Sequence, residues 1–121
     1  MGIIFIILVS ITAVFAFLGK AEATSLVISN VDLTKISDGT YVGAYDNYRF
    51  SNKVEVTVIN HEITNILPVK IQDGRQALVD KLTEAILREQ HNDIDAVSGA
   101  TASRNGFLKA VEEALKNGVN E

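Results

Sequence analysis

Lys53-Val54-Glu55-Val56-Thr57-Val58-Ile59 alternates apolar and polar side chains without a break. A period of two puts Val54, Val56 and Val58 on one face and Glu55 and Thr57 on the other, the pattern of a half-buried antiparallel strand. Asn60-His61 follows as a tight turn, and residues 63–71 return as the partner strand, with Pro68 making it irregular or an edge. Upstream, Asp38-Gly39 marks a turn before Thr40-Tyr41-Val42-Gly43-Ala44-Tyr45, a run rich in strand formers. Asp46-Asn47 punctuates it, and Tyr48-Arg49-Phe50 reads as extended again.

After Asp73-Gly74 the period changes. Leu78, Val79, Leu82 and Ile86 recur at helical spacing, with Asp80, Lys81, Glu84 and Arg88 outside, so a helix is expected to about Glu89. A polar break at residues 90–93 separates it from a second helix. That helix is expected to start near Ser103, to bury Phe107, Ala110, Val111, Ala114 and Leu115, and to stop at Asn117-Gly118. Strands come first and helices last, without strand–helix–strand alternation. The expected class is α+β: a twisted antiparallel sheet packed with two C-terminal helices, preceded by an N-terminal membrane helix. Val54, Val56, Val58, Ile66, Leu82, Ile86, Phe107, Val111 and Leu115 are the expected core.

The membrane helix is expected over residues 1–19, which carry no charged side chain. Nineteen helical residues reach roughly 28 Å, close to the thickness of the hydrocarbon layer. Ala21-Glu22-Ala23 resembles a signal cleavage site, but no Lys or Arg precedes the apolar run and the run is long for a signal. An uncleaved anchor is therefore the preferred reading over a signal peptide. Residues 20–37 are expected as a linker or first strand, with Leu26-Val27-Ile28 as its apolar run, and residues 38–118 as the domain. Lys20, the cation nearest the apolar run, is a weak vote for a cytoplasmic domain.

The 121 residues include eleven Lys and Arg against fifteen Asp and Glu, with no basic stripe, so nucleic acid is not an expected partner. Absence of cysteine excludes disulfides, thiolate metal sites and a thiol nucleophile. His61 and His91 lie in no metal-ligand spacing and read as turn or helix-end residues. Glu112-Glu113 reads as a solvated helix face.

Asp95-Ala96-Val97-Ser98-Gly99-Ala100-Thr101-Ala102-Ser103 carries the chemistry. A small-residue loop feeds a helix N-terminus, where N–H groups and the helix dipole favour an anion. Ser98, Thr101 and Ser103 supply three hydroxyls. Two readings follow from the residues alone: a phosphate site, or an ordinary helix cap. The segment lacks the second glycine and the Lys-Ser/Thr pair of a P-loop.

Residues 95–101 resemble the acceptor motif of the FMN-binding domain family, the flavin-carrying domains of Na⁺-pumping quinone reductases, Rnf-type complexes and extracytoplasmic electron carriers. The resemblance extends over Asp38-Gly39-Thr40-Tyr41-Val42-Gly43, residues 54–66 and residues 94–115. It implies that an FAD-dependent FMN transferase joins FMN, through its phosphate, to the hydroxyl of Thr101. Asp95, Ser98, Gly99, Ala100 and Ser103 would then surround the cofactor. The resemblance further implies a single-pass protein with its domain on the extracytoplasmic side, opposing the Lys20 signal. Its partners would be redox proteins or a quinone-linked membrane complex, and it would be an electron carrier with no substrate of its own. Tyr41, Tyr45, Tyr48, Phe50 and Phe107 are the candidates for an aromatic wall against the flavin ring. The alternatives are a non-covalent FMN-binding module, such as a sensory one, and an anchored interaction domain without cofactor.

Overall fold

The valine alternation folds as the central strand of a three-stranded antiparallel sheet. The computed structural model describes residues 19–94 and 100–120. Strand β1 (Gly39–Tyr45) pairs with β2 (Asn52–Ile59), and β2 with β3 (Glu62–Lys70), in the order β1-β2-β3. Tyr41 lies opposite Val56, and Val56 opposite Ile66. Asn60 and His61 both take positive φ, 52° and 63°, as a two-residue hairpin turn whose twist matches its strands requires. β3 is an edge strand, and Pro68 sits opposite Val54 where the β2–β3 register shifts, a position that forfeits little of the ladder.

Among the described residues three α-helices accompany the sheet: α1 (Lys20–Ser25), α2 (Gln76–Glu89) and α3 (Thr101–Asn117). α3 packs across β1 and β2, and α2 touches β3 and α3. The nine side chains expected in the core are all buried, with Val54, Val56, Val58, Leu82, Ile86, Phe107, Val111 and Leu115 fully so. The domain is α+β as its strand-then-helix order implies.

Of the two readings of residues 20–37, linker or first strand, Leu26-Val27-Ile28 joins no strand; the segment holds α1 and a 3₁₀ turn at Leu33–Lys35, with an extended strap between them. Several other local expectations are corrected. Side chains satisfy the strap's backbone in place of a neighbouring strand. Glu112 accepts from Ser29 N, and Asn92 accepts from Val31 N and donates to Ser29 O, while Asn105 donates to Ala23 O at the end of α1. Glu112 is thus fully buried, not solvated, and it also holds Lys109 at 2.7 Å and Lys116 at 2.9 Å. Tyr48–Phe50 is a 3₁₀ turn, not extended, with Tyr48 at φ 50°. Ser51 ties that turn, accepting from Asn47 N at 2.8 Å and donating to Tyr48 O at 2.8 Å. The second long helix starts at Thr101, two residues before Ser103.

The anchor expected over residues 1–19 lies, but for Gly19, outside the described residues. Among the described residues no helix is long and apolar enough to cross a membrane.

Candidate functional site

α3 begins unusually. Its N-cap is Ala100 at φ 45° and ψ 48°, a left-handed conformation that an alanine adopts only at a cost of about 1 kcal/mol, and among the described residues no side chain caps the first N–H groups. Thr101, the first helical residue, is exposed, and its hydroxyl meets no hydrogen-bond partner among the described residues. The hydroxyl therefore does not serve as a cap and stays available to an incoming group. Asp95, Ser98 and Gly99 lie outside the described residues.

Ser103 behaves differently although it is only two residues on. It is buried, donates to Gln72 Oε1 at 2.7 Å and accepts from Arg75 Nε at 3.2 Å. Two positions along a helix rotate a side chain by about 200°, so Thr101 faces solvent while Ser103 faces the segment entering α2. Ser103 thus spends its hydroxyl on Gln72 and Arg75 while still lining the cleft.

Around Thr101 opens a cleft of about 380 Å³. Lys20 from α1, Arg49 from the 3₁₀ turn and Arg75 at the N-cap of α2 line it, beside Thr101 and Ser103. Packing brings the turn here. Gly106 lies so close to it that a Cβ would meet the Phe50 carbonyl oxygen at 2.6 Å, so only glycine lets the turn settle on α3. The Arg49 guanidinium then rests 4.9 Å above the Phe50 ring, a cation–π contact that restrains it at the cleft. Lys20 is placed by α1, whose preceding carbonyl, Gly19 O, accepts from Asn47 Nδ2 at 2.8 Å.

A second cleft of about 360 Å³ adjoins the first, with Arg49 common to both. Tyr48, Lys70 and Ile71 line it, together with Gln72, the partner of Ser103. Of the five aromatic candidates, Phe50 lines the first cleft and Tyr48 the second, and of the two only Tyr48 is exposed, at 59%. Phe107 is fully buried and Phe50 nearly so. Tyr45 is buried among Asn47 and Glu22, and burial pushes its phenol above the ordinary value, against the pull of the Asn47 hydrogen bond. Tyr41 is half-buried and donates to Ser37 O at 2.7 Å. Tyr48 also holds a positive φ, a conformation costly for a bulky residue and characteristic of functional sites.

A threonine, two arginines and a lysine around one cleft are the donor set of a phosphate site, with the hydroxyl able to bond to phosphorus. An exposed tyrosine and Ile71 add the wall that a flat ring requires. The residues present thus fit a phosphorylated aromatic ligand. Sequence reading missed Lys20, Arg49 and Arg75 as site residues, because they sit on three separate elements and form no pattern along the chain. His61 is exposed with Nδ1 3.1 Å from Leu33 O, and no three metal-capable side chains cluster among the described residues.

The family model described as the FMN-binding domain matches residues 23–116, most of the chain. No curated protein and no solved structure matches it.

Proposed function

The chain belongs to the FMN-binding domain family, with FMN as its cofactor, and from that premise we propose that it is a membrane-anchored electron carrier whose FMN is joined through its phosphate to Thr101. The observation that carries this reading is the single cleft lined by exposed Thr101 together with Lys20, Arg49 and Arg75. A phosphodiester at Thr101 bears one negative charge, and three cations with the N-terminal dipole of α3 offset its desolvation. Bound FMN supplies a ring that accepts and releases electrons. The chain's own residues bind and orient it: Thr101 tethers, the cations hold the phosphate, and Tyr48 with Ile71 offers the ring a wall in the adjoining cleft. Asp95, Ser98, Gly99 and Ala100 complete the acceptor loop in this reading.

The tether requires an FAD-dependent FMN transferase as a partner, and electron transfer requires redox proteins or a quinone-linked membrane complex. The uncharged apolar residues 1–19 serve as the anchor, with the domain on the extracytoplasmic side. Supporting the anchor, Gly19 is clasped by Asn47 and Lys20 lines the cleft, so the apolar segment joins the domain beside the cofactor site. Retention in carbonate-washed membranes and removal of the domain by protease added to intact spheroplasts test the placement. A mature N-terminus at Thr24 refutes the anchor.

Intact mass is the decisive measurement for the tether. Co-expressed with the transferase, the protein is expected to gain the mass of one FMN less one water, with the label on Thr101. Thr101→Val is expected to fold with a stability change within about 0.5 kcal/mol, since the residue is exposed and caps nothing, and to carry no covalent flavin. A label on Ser98 or Ser103 refutes Thr101 as the acceptor. Flavin that copurifies but is lost on denaturation supports the non-covalent reading, and a protein colourless with and without transferase supports the interaction domain.

A further inference from the structure

We propose that Arg75 acts in the attachment reaction itself, as a cation that this chain lends to the transferase's transition state; the proposal rests on Thr101 being the FMN acceptor. Three observations single out Arg75 among the cations of the cleft. It is half-buried, whereas Lys20 and Arg49 are exposed. Its Nε–H is bound to Ser103 Oγ, whose own proton is bound to Gln72 Oε1, so one edge of the guanidinium is anchored. Its two terminal amino groups meet no hydrogen-bond partner among the described residues, which leaves the pair that matches two phosphate oxygens.

Ser103 makes the arrangement mechanical. It stands two residues from Thr101 on the same helix, so the bond to Ser103 keeps Arg75 in fixed relation to the attacking hydroxyl. In the reaction the Thr101 oxygen bonds to the FMN phosphorus of FAD. The bond from that phosphorus to the bridging pyrophosphate oxygen breaks, and AMP departs with that oxygen and its electron pair. The hydroxyl proton passes to the departing phosphate or to solvent, and nothing is oxidised or reduced. Negative charge builds on the bridging oxygen as its bond to phosphorus breaks, and a pre-aligned guanidinium stabilises that transition state more than the ground state. Ser103 and Gln72 are positioning residues in this scheme; they hold Arg75 and do not touch the phosphate.

The test is the time course of labelling of the full chain by a purified FAD-dependent FMN transferase with FAD and magnesium, read as in-gel flavin fluorescence. Arg75→Met is expected to slow labelling by about 10²–10³-fold, and added guanidinium ion to restore a large part of the rate. Gln72→Ala keeps the guanidinium and loosens its tether; it is expected to slow labelling by roughly tenfold without response to guanidinium. Thermal unfolding of each variant separates fold from chemistry. Labelling of Arg75→Met within about threefold of wild type overturns the role of Arg75 and leaves Thr101 as acceptor untouched. Slow labelling that guanidinium does not rescue, together with a large fall in unfolding temperature, also overturns it, by showing a structural role. Wild type that is never labelled, while a control acceptor is, overturns the acceptor reading and this proposal with it.

Discussion

Gly43 on β1 and Ala114 on α3 meet backbone to backbone: a Cβ at Gly43 would lie 2.2 Å from the Ala114 nitrogen and 2.2 Å from the Ala110 carbonyl oxygen. Neither atom belongs to a side chain that can turn away. The long helix is thus seated on the sheet by the lack of one methyl group, and the start of the same helix carries Thr101. Gly43→Ala is expected to cost about 3 kcal/mol, the upper end for overpacking, because whole backbones must part. Urea unfolding measures it.

Leu82 on α2 and Phe107 on α3 are both fully buried, so truncation leaves a cavity that the surroundings fill only in part. Leu82→Ala and Phe107→Ala are each expected to cost about 2–5 kcal/mol. Loss of stability at either position below about 1 kcal/mol in the same urea assay contradicts the packing described for α2 and α3.

Stability should fall in acid through Glu112. Burial raises its pKa, but the Lys109 and Lys116 ammonium groups and Ser29 N–H outweigh it and hold the carboxyl below its ordinary value. A carboxyl depressed in the folded state binds protons less readily than in the unfolded chain. Its contribution is therefore complete above about pH 5 and is lost as pH falls through the depressed folded value. Glu112→Gln is expected to lower stability by about 2 kcal/mol at neutral pH and to flatten the acid limb of a melting-temperature profile relative to wild type.

The strap between α1 and the Leu33–Lys35 turn depends on side chains for its backbone hydrogen bonds. Asn92, fully buried, spans Ser29 O at 2.7 Å and Val31 N at 3.1 Å. Asn92→Ala removes both bonds and leaves two backbone groups wanting, at a cost of about 2 kcal/mol. Hydrogen exchange is expected to accelerate at Ser29 and Val31 while β2 keeps its protection. Uniform loss of protection across the chain would contradict a local role for Asn92.

The α+β class was legible in residues 53–115 because periodicity is a local property. Val54, Val56 and Val58 announce one buried face of a strand, and Leu82, Ile86, Phe107, Val111 and Leu115 announce the buried stripes of helices, whatever else they pack against. Asn60-His61 marks the hairpin turn by the break it makes between two strands, whereas Gly118, at φ −94°, is required by the close approach of the Tyr41 and Ile36 side chains. The motif around Thr101, likewise contiguous, was enough to suggest the family. Tertiary structure alone decided the rest. Thr101 and Ser103 look equivalent as letters, yet the phase of α3 against the start of α2 exposes one and buries the other. Glu112 and Glu113 look equally solvated, yet only Glu112 points under the strap. Five aromatic residues were equal candidates until packing buried Phe50 and Phe107, tied the hydroxyls of Tyr41 and Tyr45, and left Tyr48 at a cleft. Lys20, Arg49 and Arg75 share no local pattern; they converge because α1, the turn seated on Gly106 and the start of α2 all meet the first turn of α3. Local patterns record what a residue does within its own element, whereas a site assembled from separate elements exists only once their long-range contacts have formed.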